Sequence, residues 1–453
     1  MYRTRDLSQL QDIFARQTND IAILCGASDS GIYEIVRDFA KDKQCLYYRA
    51  SSVSDQVQRM LFAGEVFDQT KTPIFPSDDY GKLITSVIND GTSKKKLMII
   101  DDFRYILKED STFINFLTKL LSEESAPGSA MILLVTDDVT WANTDMVKML
   151  GRKSSEITGV IKIDDLSPTE FRELFPQMPL SEMIGIYSFV GGRSGRYNGI
   201  TNESTLKDVI ISYLGMWDIH RDPDHYLPRG IREPSLYNTI LVHLSSGAGK
   251  LSRLHELTGV DRAKLAVYLK TLGEHGIVEK IDSEPVGDDT VKGSYRIREG
   301  IVRFYYRFVF RRASSLFMNG PDRFYKKYIE HEIYTFIDEF YPFFCMEHIN
   351  WLKNESRLNF KVASVGEYHD KDGAIDFVIV AAGGSVIACA CQYSTGLMSF
   401  KRYEEVKASV RKNHMNCDNI WLFSAGGFDQ KLTMTESVSI GLKLIEGHDQ
   451  RLR

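Results

Sequence analysis

Three short and almost wholly apolar runs lie in the first 140 residues: Ile21-Ala22-Ile23-Leu24, Leu97-Met98-Ile99-Ile100 and Met131-Ile132-Leu133-Leu134-Val135. They constrain the fold more than any other feature. Strands without polar alternation must be buried on both faces, and such strands separated by helices form a parallel sheet covered on both sides. The intervening segments have the required helical spacing: Ile32, Ile35, Val36 and Phe39 recur on one face. "QCLYYRAS" reads as a further strand, "YGKLITSVINDG" as a helix stopped by Gly91, and "STFINFLTKLLSEE" as a helix capped by Ser111.

A chain of 453 residues exceeds one core, and its 43% hydrophobic and 26% charged content is that of ordinary globular domains. The net charge of −5 gives no global attraction to nucleic acid, so any basic surface has to be local. Six scattered cysteines without a CxxC pair suit reduced thiols better than a disulfide framework or a zinc site. The polar start "MYRTRDLSQLQDIF" lacks a signal-peptide core, and no apolar window is long enough to cross a bilayer. The expectation is a cytoplasmic protein without a membrane partner.

From Leu166 the pattern turns helical. A further unit begins at Glu233 with helix, helix, a turn at Thr258-Gly259 and a third helix, then a β-rich segment ending in "KGSYRIRE". That order predicts a winged helix-turn-helix. The aromatic helix "GIVRFYYRFVFRR" follows. The last unit carries strands "AIDFVIVAA", "SVIACACQY" and "NIWLFSA", with helix "FKRYEEVKASVRKN" between the last two.

After the first apolar run stands Gly26-Ala27-Ser28-Asp29-Ser30-Gly31, the frame of a phosphate-binding loop. Such a loop ends in Lys, which neutralises the β/γ oxygens, and Ser or Thr, which binds Mg²⁺. Here Ile32 and Tyr33 occupy those positions, and Asp29 adds negative charge where phosphates would lie. The second run ends in Asp101-Asp102, the pattern of a Walker B strand. The first acid would hold Mg²⁺ through water and the second would polarise the attacking water. Thr136, ending the third run, falls at the position that senses a γ-phosphate. Two readings of the loop stay open: a nucleotide site with its chemistry removed, or a strand-turn-helix without a ligand.

Nearly the whole chain, in order, resembles the archaeal-type AAA+ ATPases that carry a winged helix and a C-terminal restriction-endonuclease-like domain of unknown function. "GASDSGIY" falls on that family's GRRRxGKT loop and "IIDDFRYI" on its IDEFQYL-like strand. "VGGRSGRY" resembles its GGxPxY turn, "SYRIREGIVRFYYRFV" its RFWFRF-like helix, and "GEYHDKDGAIDFVIV", "ACQYS" and "LFSAGGF" its C-terminal segments. The resemblance implies an α/β multidomain fold. Residues 1–165 would form a P-loop AAA+ domain with a parallel sheet, 166–230 a helical lid, 231–315 the winged helix with its aromatic helix, and 316–453 the endonuclease-like domain. In the last of these, a PD-(D/E)xK site needs two carboxylates and a Lys around a divalent metal. Asp376 fills the first position, but the next strand reads Ala390-Cys391-Gln392-Tyr393 where Glu-Cys-Lys-Trp belongs. Glu332 and Glu367 are the acids that could replace the missing one.

Both modules thus keep their apolar framework while losing polar catalytic positions, which implies a degenerate ATPase serving as a nucleic-acid-binding or regulatory scaffold. ATP and Mg²⁺ would be weak ligands at Gly26, Asp29, Ser30, Gly31, Ile32, Tyr33, Asp101 and Thr136. The enzyme alternative is a slow ATPase using Asp101 and Asp102 with a borrowed cation. A third possibility is a protein-interaction module that never meets DNA. Arg262, Lys264 and Lys270 on the third helix of the winged unit are the candidate nucleic-acid contacts. The aromatic run from Phe304 to Phe310 fits core packing with snorkelling arginines. The stretch His220 to His225 reads as a polar linker rather than a metal site, and Lys94 to Lys96 as a solvated edge.

Overall fold

The apolar runs become strands of one parallel sheet. Strands β1 (Asp20–Cys25), β2 (Cys45–Arg49), β3 (Lys96–Asp101), β4 (Ala130–Thr136) and β5 (Gly159–Lys162) pair in the order β2-β3-β4-β1-β5. The period of two sorts their side chains into two cores. Ile21, Ile23, Met98, Ile100, Ile132 and Leu134 pack on one face, and Ala22, Leu24, Leu97, Ile99, Met131 and Leu133 on the other. Burying each of these larger side chains stabilises the sheet by about 1.5–3 kcal/mol. The arrangement is that of a P-loop AAA+ domain, with β4 between the loop-bearing strand and the strand that ends in two acids. Register brings Cys25 level with Thr136 and Asp101 level with Val135, so the loop, Asp101 and Thr136 share the carboxyl edge of the sheet.

This is a computed structural model, and it describes residues 3–27, 29–71, 80–88, 94–110, 112–122, 129–151, 157–228, 231–286, 293–369, 373–394, 396–432 and 438–441. Ser28, Gly91 and Ser111 lie outside these residues. The chain divides into two units: Met1–Leu166 with Arg193–Asn198, and Ser167–Gly192 with Gly199–Arg453. In the first unit the amphipathic helix Thr4–Phe14 buries Leu7, Leu10 and Ile13. Of the three lysines read as a solvated edge, Lys94 is exposed but Lys95 and Lys96 are engaged by the protein. Lys95 pairs with Asp20 at 2.7 Å, and the buried Lys96 donates its Nζ to the carbonyls of Val87 and Ile88. A cation on the free carbonyls that end a helix is stabilised there.

The second unit opens with "SPTE", where Ser167 and Glu170 cap each other's backbone N–H groups ahead of helix Pro168–Leu174. Helices Pro234–Leu244, Leu251–Thr258 and Arg262–Glu274 precede an antiparallel ribbon of β6 (Val278–Ile281) and β7 (Ser294–Ile297). The C-terminal sheet runs β12-β11-β10-β9-β8, from β8 (Val362–Glu367), β9 (Phe377–Ala381), β10 (Val386–Gln392), β11 (Cys417–Ser424) and β12 (Val438–Gly441). Its pairs are antiparallel from β8 to β10 and parallel from β10 to β12. The aromatic helix is buried as expected, but Arg303 does not snorkel. It lies against the Phe336 ring and donates to the Phe336 carbonyl at 3.1 Å, and burial pulls its pKa down to about 10.

His220 belongs to a short helix, Trp217–Arg221, rather than to a polar linker. Its ring is buried against Tyr213 and Tyr305, with Nε2 2.9 Å from the Tyr213 carbonyl. Asp224 accepts from Asn238, which accepts from Tyr306. The polar residues of this stretch thus satisfy an aromatic core. Burial pushes the His220 imidazole below its ordinary pKa. The unfolded chain therefore binds a proton that the folded chain refuses, and stability is lost as pH falls below about 6.5. Melting curves from pH 7.5 to 5.5 should show the wild-type advantage over His220→Asn shrinking with acidification; parallel profiles would contradict it.

Candidate functional site

The loop between β1 and helix Ile32–Ala40 is filled by protein. Asp29 is paired with two guanidiniums: Arg193 Nη1 donates to Oδ1 at 2.8 Å, and Arg196 Nε donates to Oδ2 at 2.6 Å. The Gly195 amide donates to the Asp29 carbonyl at 3.0 Å. The Ser30 carbonyl accepts from Ser194 Oγ at 2.9 Å and from the buried Arg3 at 3.0 Å. Burial alone would raise the Asp29 pKa, but Arg196 and Arg193 outweigh it and hold the carboxyl below its usual range.

This docking accounts for Gly31 and Gly195, and the approach of Ile163 accounts for Gly26. A Cβ on Gly26 would stand 2.7 Å from Ile163 Cβ, and one on Gly195 would stand 2.7 Å from the Asp29 carbonyl oxygen. Gly31 has φ 87° and its missing Cβ would collide with Ser194 Oγ. The glycines that frame the loop are thus required by neighbouring protein segments. A cavity of about 120 Å³ beside it, lined by Arg3, Leu7, Glu34, Ile35, Ser194 and Asn198 among others, is smaller than the ~300 Å³ at which ligand pockets begin.

The positions that should handle phosphate and metal have other roles. Ile32 is wholly buried in the core under the sheet. Tyr33 donates its hydroxyl to Asp137 at 3.2 Å, and burial together with Asp101, Asp137 and Asp102 pushes its pKa up. Thr136 is buried, and its Oγ1 accepts from the Asp138 amide at 3.3 Å. Asp101 accepts from the Tyr47 hydroxyl at 2.8 Å; burial raises its pKa despite that bond and Arg49. Asp102 sits at φ 52°, where a non-glycine side chain is strained, and accepts from Arg49 Nη2 at 3.1 Å, with Arg104 Nε 3.4 Å away. Asp101 and Asp102 have Arg49 and Arg104 beside them, and Asp29 in the loop has Arg193 and Arg196. Among the described residues no three His, Cys, Asp or Glu are placed to hold a metal.

In the C-terminal sheet, Asp376 accepts from the Cys391 amide at 2.7 Å and from Arg402 at 3.2 Å. Asp338 accepts from the Tyr393 amide at 2.6 Å and lies close enough to raise the Asp376 pKa. Ala390 is core, and Gln392 donates to Ser394 and the Gly396 carbonyl. The two acids weighed as replacements are engaged elsewhere. Glu332 faces Arg307 at 3.8 Å, and Glu367 pairs with Arg296 at 2.6 Å. On helix Arg262–Glu274, Arg262, Lys264 and Lys270 are all exposed, with Lys264 3.4 Å from Glu233 and Lys270 3.8 Å from Glu274.

Arg193, Arg196, Arg49, Arg104, Asp338 and Arg402 were not found from sequence. One signal was available for the first two: a carboxylate inside a phosphate loop needs cations, and "GGRSGRY" supplies them.

The DUF234 family model, described as "Archaea bacterial proteins of unknown function", matches residues 305–408. An uncharacterized protein of Methanocaldococcus jannaschii, MJECL04, is 19% identical over 384 residues, 83% of this chain and 83% of its own. Among solved structures, the Walker-type ATPase PABY2304 of Pyrococcus abyssi superposes with a TM-score of 0.45 at 14% identity, over 67% of this chain and 95% of its own. The Aeropyrum pernix ORC2 protein in its ADPNP–ADP complexes gives 0.46 at 13%, over 70% and 94%.

Asp376 offers a direct electrostatic test. Burial raises its pKa to about 6 although Arg402 and the Cys391 amide oppose the shift. A raised acid adds stability below its ordinary value of ~3.9, and that stability is lost as pH rises through about 6. The melting temperature of Asp376→Asn relative to wild type should therefore climb between pH 4 and pH 8. A pH-independent difference would contradict this.

Proposed function

We propose that this chain is a scaffold built on an AAA+-type domain that works without nucleotide chemistry. The carrying observation is the Asp29 carboxylate held by Arg193 and Arg196 in a loop whose Lys and Thr positions are Ile32 and Tyr33. Engagement of Asp101 by the Tyr47 hydroxyl and Arg49, and of Asp102 by Arg49 and Arg104, supports the same reading, because both acids already have partners within the chain. In this proposal residues 1–165 keep the P-loop fold for its shape and 166–230 form a helical lid. Residues 231–315 are a winged helix with its aromatic helix, and 316–453 are a restriction-endonuclease-like domain without nuclease activity. The order of helices Pro234–Leu244, Leu251–Thr258 and Arg262–Glu274 before the β6-β7 ribbon supports the winged helix. Asp376 tied to Arg402 and its neighbour Asp338 tied to the Tyr393 amide, with Ala390 and Gln392 at the other expected positions, support loss of the nuclease centre.

The proposed partner is nucleic acid, contacted through its phosphates by Arg262, Lys264 and Lys270. A protein partner is the second reading. It is favoured by the pairing of Lys264 and Lys270 with acids of the same module and by Val267, 63% exposed in the middle of that helix face.

Anisotropy titration with duplex DNA separates them. Phosphate contact predicts binding that weakens as salt rises, with the salt slope reduced by about one on Arg262→Ala. No binding at low salt would select the protein partner. In a steady-state ATP hydrolysis assay, Asp101→Asn should leave any background rate unchanged. Turnover abolished by that substitution would reinstate the ATPase.

A further inference from the structure

We propose that Asp29 is a built-in substitute for a bound phosphate, and that Arg193 and Arg196 form an anion site which this carboxylate occupies in cis. The inference rests on the nucleotide-independent reading above and goes further, because it assigns the site a ligand class.

Three features carry it. The first is position. Asp29 lies in the turn between the carboxyl end of β1 and the start of helix Ile32–Ala40, where backbone N–H groups favour an anion. The second is the coordination. Each carboxylate oxygen takes a different guanidinium, Oδ1 from Arg193 and Oδ2 from Arg196. Arg193 gives one N–H to its oxygen and Arg196 turns both Nε and Nη2 to the other, and such charge-assisted guanidinium bonds are also how arginine recognises phosphate. The third is the immediate surroundings. Arg3 reaches the adjacent Ser30 carbonyl, and the Ser30 hydroxyl is buried with no hydrogen-bond partner among the described residues. Two guanidiniums thus converge on the Asp29 carboxylate, and a third arginine and a buried hydroxyl belong to the next residue of the same turn.

The site is also reachable. The Asp29 side chain is 33% exposed, against 20% for Arg193 and 12% for Arg196. A small anion can enter from solvent once the carboxylate charge is removed. Arg193 has a second acid, Asp165, 3.6 Å from its Nε, while its Nη1 bonds Asp29. The low pKa of Asp29 keeps the internal ligand ionised across the neutral range.

The test uses the full-length chain and inorganic pyrophosphate, with inorganic phosphate as the smaller probe. Asp29→Asn keeps the side-chain shape and removes the charge. In calorimetric titration this variant should bind pyrophosphate at least about tenfold more tightly than wild type, a difference of about 1.4 kcal/mol. Asp29→Asn combined with Arg193→Ala and Arg196→Ala should lose that gain. Equal binding by wild type and Asp29→Asn, or none by a folded Asp29→Asn chain, would overturn the proposal. Should Asp29→Asn fail to fold alone, refolding in pyrophosphate decides: restored structure supports the substitution of one anion for another, and no rescue overturns it. Mg-ATP titrated into wild type separates the two levels. Binding there would remove the nucleotide-independent reading, whereas the pyrophosphate result on Asp29→Asn judges the anion site itself.

Discussion

The ion pair between Asp29 and the guanidiniums of Arg193 and Arg196 organises the carboxyl edge of the parallel sheet. It fixes residues 193–198 on the loop, and that approach then dictates what the loop can contain. Gly31 must lack a Cβ because Ser194 is there, and Gly195 because the Asp29 carbonyl is there. A single exposed ion pair contributes little, about 0–1 kcal/mol. This one is shared between two arginines that are 12% and 20% exposed and is reinforced by bonds to the Asp29 and Ser30 carbonyls, so its parts act together.

The same engagement of carboxylates by the chain's own groups recurs across the sheet edge and beside the C-terminal sheet. Asp101 has the Tyr47 hydroxyl with Arg49 at 3.6 Å, and Asp102 has Arg49 and Arg104. Asp376 has Arg402 and the Cys391 amide. In each case a carboxylate remains and its counter-charge is a side chain of the same chain. Acids that had simply lost a metal would be left buried and uncompensated, which costs several kcal/mol. The partners offset that cost only in part for Asp101 and Asp376, whose carboxyls burial still holds above their ordinary pKa.

The parallel sheet was legible because strands buried on both faces have no room for polar alternation, and Ile21–Leu24, Leu97–Ile100 and Met131–Val135 have none. The loop was legible as a frame, but the cause of its glycines was not, since Ser194 is far from Gly31 in sequence and nothing local announces the contact. For the same reason Asp101 and Asp102 were found while Arg49, on a different strand, was not. His220 was misjudged because a stretch of charges around a proline looks solvated, and only the aromatic rings of Tyr213 and Tyr305 reveal that its imidazole is buried. In the C-terminal domain Glu332 and Glu367 were plausible by nearness in sequence, yet Arg307 and Arg296 already engage them, and Asp338 is the acid that approaches Asp376.

The most direct measurement is amide hydrogen exchange across residues 26–33 and 193–198 of the wild-type chain, without nucleotide and with millimolar Mg-ATP. A loop satisfied by its own arginines predicts a protected Gly195 amide in the absence of nucleotide, with no change on adding Mg-ATP. An unprotected segment that becomes ordered only when Mg-ATP is added would contradict it and return the loop to nucleotide binding.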